Sequence, residues 1–241
     1  MSPIFTIEYQ DQDTLLEAHC VLPDNLTRTA PAVMVAHDWS GKNAFAIQKA
    51  TQLAELGYIG FALDMYGKGK LGKTNEEKMS LMQPFMQNRT MLQTRMQAAL
   101  TAAKQLPQVD CAKMGVIGFC FGGLCALDLA RSGADILGAV SFHGLLHAPE
   151  TTHPRPIHAK ILALHGYDDP MTKPQQVIDF GNEMTRANAN WQLDMYGHTL
   201  HAFTNPEAHD TTFGTVYNQQ ADHRSWIAMK AFFREVFGNE L

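Results

Sequence analysis

Residues 115–124 constrain this chain more than any other stretch. They begin as an apolar run, turn at Gly118-Phe-Cys120-Phe-Gly122, and lead into residues 124–131, which have a helix-like composition. This order predicts a strand, a sharp turn and a helix, with glycines that let the backbone bend. Such a turn exposes its central side chain above a sheet, where the N-terminus of the next helix favours negative charge. The central residue is Cys120, whose thiolate would be a good nucleophile near neutral pH.

Apolar, strand-like segments alternate with helix-like segments along the rest of the chain. A hairpin is predicted within residues 3–23, and further strands at 31–36, 58–63, 114–117, 136–142, 161–164 and 191–196. Residues 75–106 are predicted to form two helices with a break near Pro84. The alternation predicts an α/β fold with a mostly parallel central sheet and helices on both faces. Because no linker interrupts the chain, we expect a single domain over residues 1–241.

Composition narrows the class of partner. The net charge of −5 gives no basic surface for nucleic acid, and no apolar run is long enough to span a membrane. No signal peptide is visible, and the four cysteines have irregular spacing, so we expect a reduced, cytoplasmic setting. His143, His147, His153 and His158 lack a rigid ligand spacing, and no glycine pattern matches a phosphate loop. We therefore expect neither a metal nor another cofactor.

Acidic and histidine residues follow the later predicted strands. The acid is Asp168 or Asp169, after residues 161–164, and the histidine is His198 or His201, after residues 191–196. The chain order of nucleophile, acid and histidine is that of the α/β-hydrolases. The imidazole would take the thiol proton, and the carboxylate would orient the imidazole and stabilise its charged form.

The sequence resembles the dienelactone hydrolase family along nearly its whole length. The segments that carry the resemblance are residues 35–45, 56–67, 114–123, 164–170 and 196–205. The family has a Cys-Asp-His triad, and the resemblance implies that it corresponds to Cys120, Asp169 and His201. The pattern His-Gly-x-x-Asp favours Asp169, and the pattern His-Ala-Phe favours His201.

The resemblance implies further roles in the site. The backbone N–H groups of Phe121 and Trp39 would bind the oxyanion, and Asp38 stands where the family has an acid that pairs with the resting thiol. Arg89 lies roughly where the family has a substrate-binding arginine. Asn205 replaces a second arginine that dienelactone-cleaving members use to hold a carboxylate, which weakens the case for an anionic lactone.

Together these features predict a hydrolase that cleaves an ester or lactone bond of a small molecule through an acyl-enzyme on Cys120. The alternative is a non-catalytic binding or redox-sensing protein on the same scaffold, because a fold does not fix a function. The sequence favours neither a monomer nor a homodimer.

Overall fold

The computed structural model describes residues 2–150 and 155–238. Within it the chain divides into two compact units, Met1–Ile117 and Gly118–Leu241. The expectation of a single domain over residues 1–241 stays a prediction.

The first unit contains a strand hairpin, parallel strands and three helices. Its elements are β1 (Ile4–Asp11), β2 (Thr14–Val21), β3 (Ala30–Ala36), α1 (Ala44–Glu55), β4 (Ile59–Ala62), α2 (Asn75–Gln87), α3 (Arg89–Lys104) and β5 (Val109–Phe119), whose last two residues belong to the second unit. Strands β1 and β2 pair antiparallel, with Ile4 opposite Val21. Strand β2 also pairs antiparallel with β4, and β4 pairs parallel with β3. The predicted hairpin is thus present.

The second unit carries the three strands that position the candidate site. Its elements are α4 (Phe121–Arg131), β6 (Gly138–Phe142), β7 (Lys160–Gly166), α5 (Pro174–Arg186), β8 (Trp191–Tyr196), β9 (His209–Asp210), β10 (Thr215–Val216) and α6 (Gln219–Val236). Strands β6, β7 and β8 run parallel, in that order. Every residue of β6 is buried, as expected for a strand covered on both faces.

The predicted fold class is confirmed. The fold is mixed α/β, with helices and an eight-stranded, mostly parallel sheet. Since all the parallel strands point the same way, the loops at their carboxyl ends are where ligand-binding and catalytic groups collect in such sheets.

The break between α2 and α3 lies four residues later than predicted. Helix α2 continues through Pro84 to Gln87, and the break is at Asn88. The Asn88 side chain accepts a hydrogen bond from the Met91 N–H at 3.0 Å and so caps α3. The cap, and not the proline, therefore sets the boundary.

None of the helices among the described residues is long and apolar enough to cross a membrane.

Candidate active site

Cys120 lies at the turn between β5 and α4. Its φ of 56° and ψ of −117° are an unfavourable backbone conformation for a residue with a Cβ, as expected of a strained nucleophile turn. The backbone around it holds this conformation. The Cys120 N–H donates to the Phe142 carbonyl at 3.0 Å, and the Cys120 carbonyl accepts from the Gly123 N–H at 2.9 Å. The residue is partly exposed, so its thiol can meet a substrate.

Two glycines allow the backbone of this turn to pack closely against neighbouring atoms. A Cβ on Gly118 would lie 1.9 Å from the Gly122 carbonyl oxygen. A Cβ on Gly123 would lie 2.6 Å from the Ser141 hydroxyl at the end of β6. The turn therefore requires glycine at both positions, as the sequence pattern indicates.

We expect Gly118→Ala to lower the free energy of unfolding by at least about 2 kcal/mol, because the added methyl group overlaps backbone that has no room to move. In thermal unfolding this corresponds to a midpoint lower by roughly 5 °C or more in a chain of this size. Gly197→Ala is the matched control, because a Cβ there meets nothing within 4 Å. Equal midpoints for the two variants would contradict the assignment of Gly118 to a tight turn.

The end of helix α4 is anchored by a buried arginine. Arg131 donates to the Leu146 carbonyl at 2.9 Å and pairs with Asp128 at 3.2 Å on its own helix. Its guanidinium also contacts Glu183 of α5 at 2.7 Å. A buried charged side chain needs hydrogen-bond or ion-pair partners, and Arg131 has several. The contacts fix the helix whose first turn follows Cys120.

Asp169 and His201 form a buried pair. The Asp169 Oδ2 lies 2.7 Å from the His201 Nδ1, and the two residues are 4% and 1% exposed. The other carboxylate oxygen of Asp169 accepts the Met171 N–H at 2.8 Å, which fixes the carboxylate in the loop after β7. This is the arrangement that orients an imidazole in a catalytic triad.

The loop that carries His201 is held by its own backbone. The His201 N–H donates to the Gly214 carbonyl, and the His201 carbonyl accepts from the Val216 N–H, both at 3.0 Å. The next residue, Ala202, has a φ of 58°, which is rare for a residue with a Cβ. The ring is therefore placed by a constrained segment of chain.

The alternative acid and histidine lie at the surface. Asp168 and His198 are 3.9 Å apart, with the His198 side chain fully exposed and the Asp168 side chain 45% exposed to solvent. An exposed pair at this distance interacts weakly. Of the two possible acids and two possible histidines, the structure thus brings Asp169 and His201 together in a buried position.

The environment of His201 favours its charged form. Burial alone lowers its pKa, but the charge of Cys120 and the hydrogen bond to Asp169 outweigh burial and raise the pKa to about 10. The Nε2 makes no hydrogen bond of standard geometry to any residue in the described part of the chain. It is the nitrogen that faces away from Asp169, and the Cys120 sulfur is near enough to act on the ring electrostatically. An imidazolium and a thiolate stabilise one another in such a pair.

His143 also contacts this group, whereas the sequence indicated it only as one of four histidines that lack a rigid metal-ligand spacing. Its ring lies 5.2 Å from the ring of His201, and its Nδ1 accepts the Cys120 N–H at 3.1 Å. A contact between residues 23 apart in sequence has no local pattern from which it could be predicted.

His153, one of the histidines weighed as a metal ligand, lies outside the described residues, within which no group of three His, Cys, Asp or Glu residues could hold a metal ion.

The first unit contains three of the predicted site residues. The Asp38 carboxylate accepts the Ser40 N–H at 2.8 Å and also contacts the Ser40 hydroxyl. The Trp39 carbonyl accepts from the Tyr66 hydroxyl at 3.0 Å. Arg89 is the first residue of α3 and is partly exposed. The roles assigned to Asp38, Trp39 and Arg89 stay predictions.

The Asn205 side chain is bound within its own turn. Its Oδ1 accepts the Glu207 N–H at 3.0 Å. An amide in this position offers no positive charge to a substrate carboxylate.

A mostly parallel α/β sheet in which a strained turn leads from a strand into a helix defines the class of the α/β-hydrolases. Within that class, the chain belongs to the dienelactone hydrolase family, whose model matches residues 16–237. The predicted family is confirmed, and the chain is accordingly a hydrolase of the carboxylic ester and lactone class.

The chain is similar to several proteins across most of its length. A solved dienelactone hydrolase-like promiscuous phosphotriesterase from metagenomic libraries is 32% identical, with 98% of each chain covered and a TM-score of 0.93. An uncharacterised protein of Caenorhabditis elegans is 37% identical over 61% of this chain and 94% of its own length. The carboxymethylenebutenolidase of Pseudomonas putida is 27% identical over 72% of this chain and 75% of its own.

Proposed function

We propose that this enzyme cleaves a small-molecule ester or lactone through an acyl-enzyme on Cys120, with His201 as proton carrier and Asp169 as its orienting acid. The observation that carries the proposal is the buried contact of 2.7 Å between Asp169 and His201. The remaining ring nitrogen makes no hydrogen bond of standard geometry among the described residues, and the ring interacts with Cys120. A nucleophile, a base and an orienting group in this relation are what covalent catalysis requires.

In the first half of the reaction the Cys120 thiolate attacks the carbonyl carbon, and the carbonyl oxygen becomes an oxyanion. When the tetrahedral species collapses, the bond to the leaving oxygen breaks, and His201 gives that oxygen the proton on Nε2. The products are an alcohol, or the opened end of a lactone, and an acyl thioester on Cys120. The raised pKa of His201 keeps the ring protonated beside the resting thiolate, so that the proton is in place when the thiolate attacks.

In the second half His201 is neutral and acts as a base. Its Nε2 takes a proton from water as the water oxygen attacks the thioester carbonyl. The C–S bond then breaks, which releases the acid and restores the thiolate beside the imidazolium. Asp169 keeps the ring oriented through both halves, because its hydrogen bond to Nδ1 is retained.

The first turn of α4 is well placed to supply one oxyanion donor. Phe121 is the residue after the nucleophile, and its N–H lies at the start of the helix, where N–H groups point towards an anion. The resemblance assigns the second donor to the backbone N–H of Trp39. It also assigns the pairing of the resting thiol to Asp38 and a contact with substrate to Arg89.

Neutral substrates fit this chain better than anionic ones. Asn205 stands where dienelactone-cleaving relatives have an arginine, and its carbonyl is already bound to the Glu207 N–H. A carboxylate on the substrate would lose a bidentate partner there. We therefore propose a neutral ester or lactone as the substrate, acted on in the cytoplasm.

Alkylation by iodoacetamide at pH 7 tests the pairing of the thiol with the histidine. We expect His201→Gln to lower the rate of Cys120 alkylation by about tenfold, because an unassisted thiol is only a few per cent ionised at that pH. Cys111 is exposed and serves as an internal reference in each sample. Peptide mass spectrometry gives the ratio of the two rates.

The ratio separates the proposal from its alternative. If Cys120 reacts no faster than Cys111 in the unmodified enzyme, or equally fast with and without His201, the thiol is not activated, and a non-catalytic binding or redox-sensing role becomes the better account. Loss of ester turnover in step with alkylation of Cys120 would support catalysis directly.

A further inference from the structure

His143 lies at the carboxyl end of β6, where the chain turns sharply. Its φ is 40°, in the left-handed region that residues with a Cβ seldom adopt. Its N–H donates to the Leu164 carbonyl of β7 at 2.8 Å. The side chain is 2% exposed. The backbone thus accepts strain to place this ring inside the protein.

The hydrogen bonds of the ring fix its tautomer. The Cys120 N–H is a donor, and it lies 3.1 Å from Nδ1, so that Nδ1 carries the lone pair. The ring proton is then on Nε2, which lies 2.7 Å from the Thr204 hydroxyl oxygen and donates to it. His143 is accordingly neutral in this arrangement, with each nitrogen in a defined role.

These two bonds connect the segments that carry the nucleophile and the base. Thr204 is 2% exposed and belongs to the loop that begins at His201. The ring of His143 meets the ring of His201 at a centroid distance of 5.2 Å and an angle of 66°. It also meets the ring of Phe203 at 5.0 Å and 81°. One side chain therefore contacts the backbone of Cys120 and three residues of the His201 loop.

We propose that His143 is a positioning residue, whose Nδ1 holds the backbone of Cys120 and whose Nε2–H holds Thr204, so that the thiol and the His201 ring keep the alignment needed for proton transfer. The inference rests on the proposed function, since it concerns the alignment of the same two groups. Small displacements of reacting groups cost large factors in rate, which makes such a connection valuable.

The Cys120 N–H shares its proton between two acceptors, the Phe142 carbonyl and His143 Nδ1. Loss of the His143 bond therefore leaves the N–H with one partner, and the turn keeps its main support. The expected consequence is a misaligned nucleophile in a folded protein, and not an unfolded one.

Variants separate the two bonds. His143→Asn keeps an acceptor near the position of Nδ1 and tolerates a positive φ, but it does not reach Thr204. His143→Gln reaches the position of Nε2 and donates to Thr204, but it leaves the Cys120 N–H without that acceptor. His143→Leu removes both bonds, and Thr204→Val removes the hydroxyl at nearly constant shape. The assays are kcat and KM on a neutral aryl ester, and the alkylation rate of Cys120 relative to Cys111.

We expect His143→Leu to lower kcat by about 10²-fold with KM changed less than about threefold. His143→Asn and His143→Gln should each recover part of this loss, and Thr204→Val should lower kcat by about tenfold. The double variant His143→Leu/Thr204→Val should be no worse than His143→Leu, because both changes remove the same connection. The alkylation ratio should fall together with kcat.

A kcat and an alkylation ratio within about twofold of the unmodified enzyme in folded His143→Leu would overturn the proposal. If that variant does not fold, the same outcome for Thr204→Val overturns it. The proposal would also be overturned if the separate losses of kcat in His143→Leu and Thr204→Val simply multiplied in the double variant. The proposed function fails by a different result, which is His201-independent alkylation of Cys120. Unchanged kinetics in the His143 variants, beside an intact dependence on His201, would therefore reject this inference alone.

Discussion

Replacing Cys120 by alanine is expected to lower kcat/KM for neutral aryl esters by at least about 10³-fold, because no acyl-enzyme can then form. The residual activity would come from binding and from oxyanion donors acting on a water molecule. The fold should persist, since the thiol is partly exposed and alanine keeps the Cβ at the strained turn. Steady-state kinetics measure the loss of kcat/KM, and circular dichroism shows whether the fold persists.

The same variant gives an independent physical readout. In the unmodified protein burial lowers the pKa of His201, whereas the charge of Cys120 and the bond to Asp169 raise it to about 10. Without the thiol the pKa should fall, and an NMR titration of the His201 ring measures the change. Cys111→Ala is the matched control, because Cys111 is an exposed cysteine at the start of β5. Full turnover by Cys120→Ala would refute the acyl-enzyme.

The fold class could be predicted from the sequence because the buried strands are unbroken apolar runs. The buried strands β3 and β7 lie where the apolar segments at residues 31–36 and 161–164 predict them. The boundary predicted near Pro84 lies four residues later, because α2 continues through the proline and the capping side chain of Asn88 decides where the next helix starts. The pattern of apolar and polar residues does not report the energy of a single capping hydrogen bond, so it could not place this helix boundary.

The chain order of the site could be predicted from the residues themselves, whereas the choice of Asp169 over Asp168 came from the resemblance to the family. Asp168 and Asp169 are adjacent, and only the course of the loop after β7 directs one carboxylate inward and leaves the other exposed. The bonds of His143 to Cys120 and Thr204 depend on strand packing, which brings together residues far apart in sequence. Tertiary structure supplied these contacts, and no residue pattern encodes them.

Asp169→Asn is expected to lower kcat by roughly 10²- to 10⁴-fold, with little change in stability. In the native site one carboxylate oxygen accepts the Met171 N–H at 2.8 Å and the other lies 2.7 Å from the His201 Nδ1. An amide that keeps the bond to Met171 turns its NH₂ towards Nδ1. The ring proton then moves to Nε2, and the ring can no longer accept a proton there.

The amide could instead turn its oxygen towards His201, but its NH₂ would then face the Met171 N–H, so that two donors oppose each other in a buried site. The first orientation keeps both hydrogen bonds, with the amide now donating to Nδ1, and leaves the loop after β7 intact, whereas the second loses the bond from the Met171 N–H. Asp168→Asn makes the same chemical change at the exposed neighbour, where solvent replaces any lost contact, and kcat should stay within about twofold. If the two variants were impaired equally, or if Asp168→Asn alone were inactive, the acid of the site would have to be reassigned. A large loss confined to Asp169→Asn, accompanied by slower Cys120 alkylation at pH 7, would establish that this carboxylate acts through the His201 ring on the thiol.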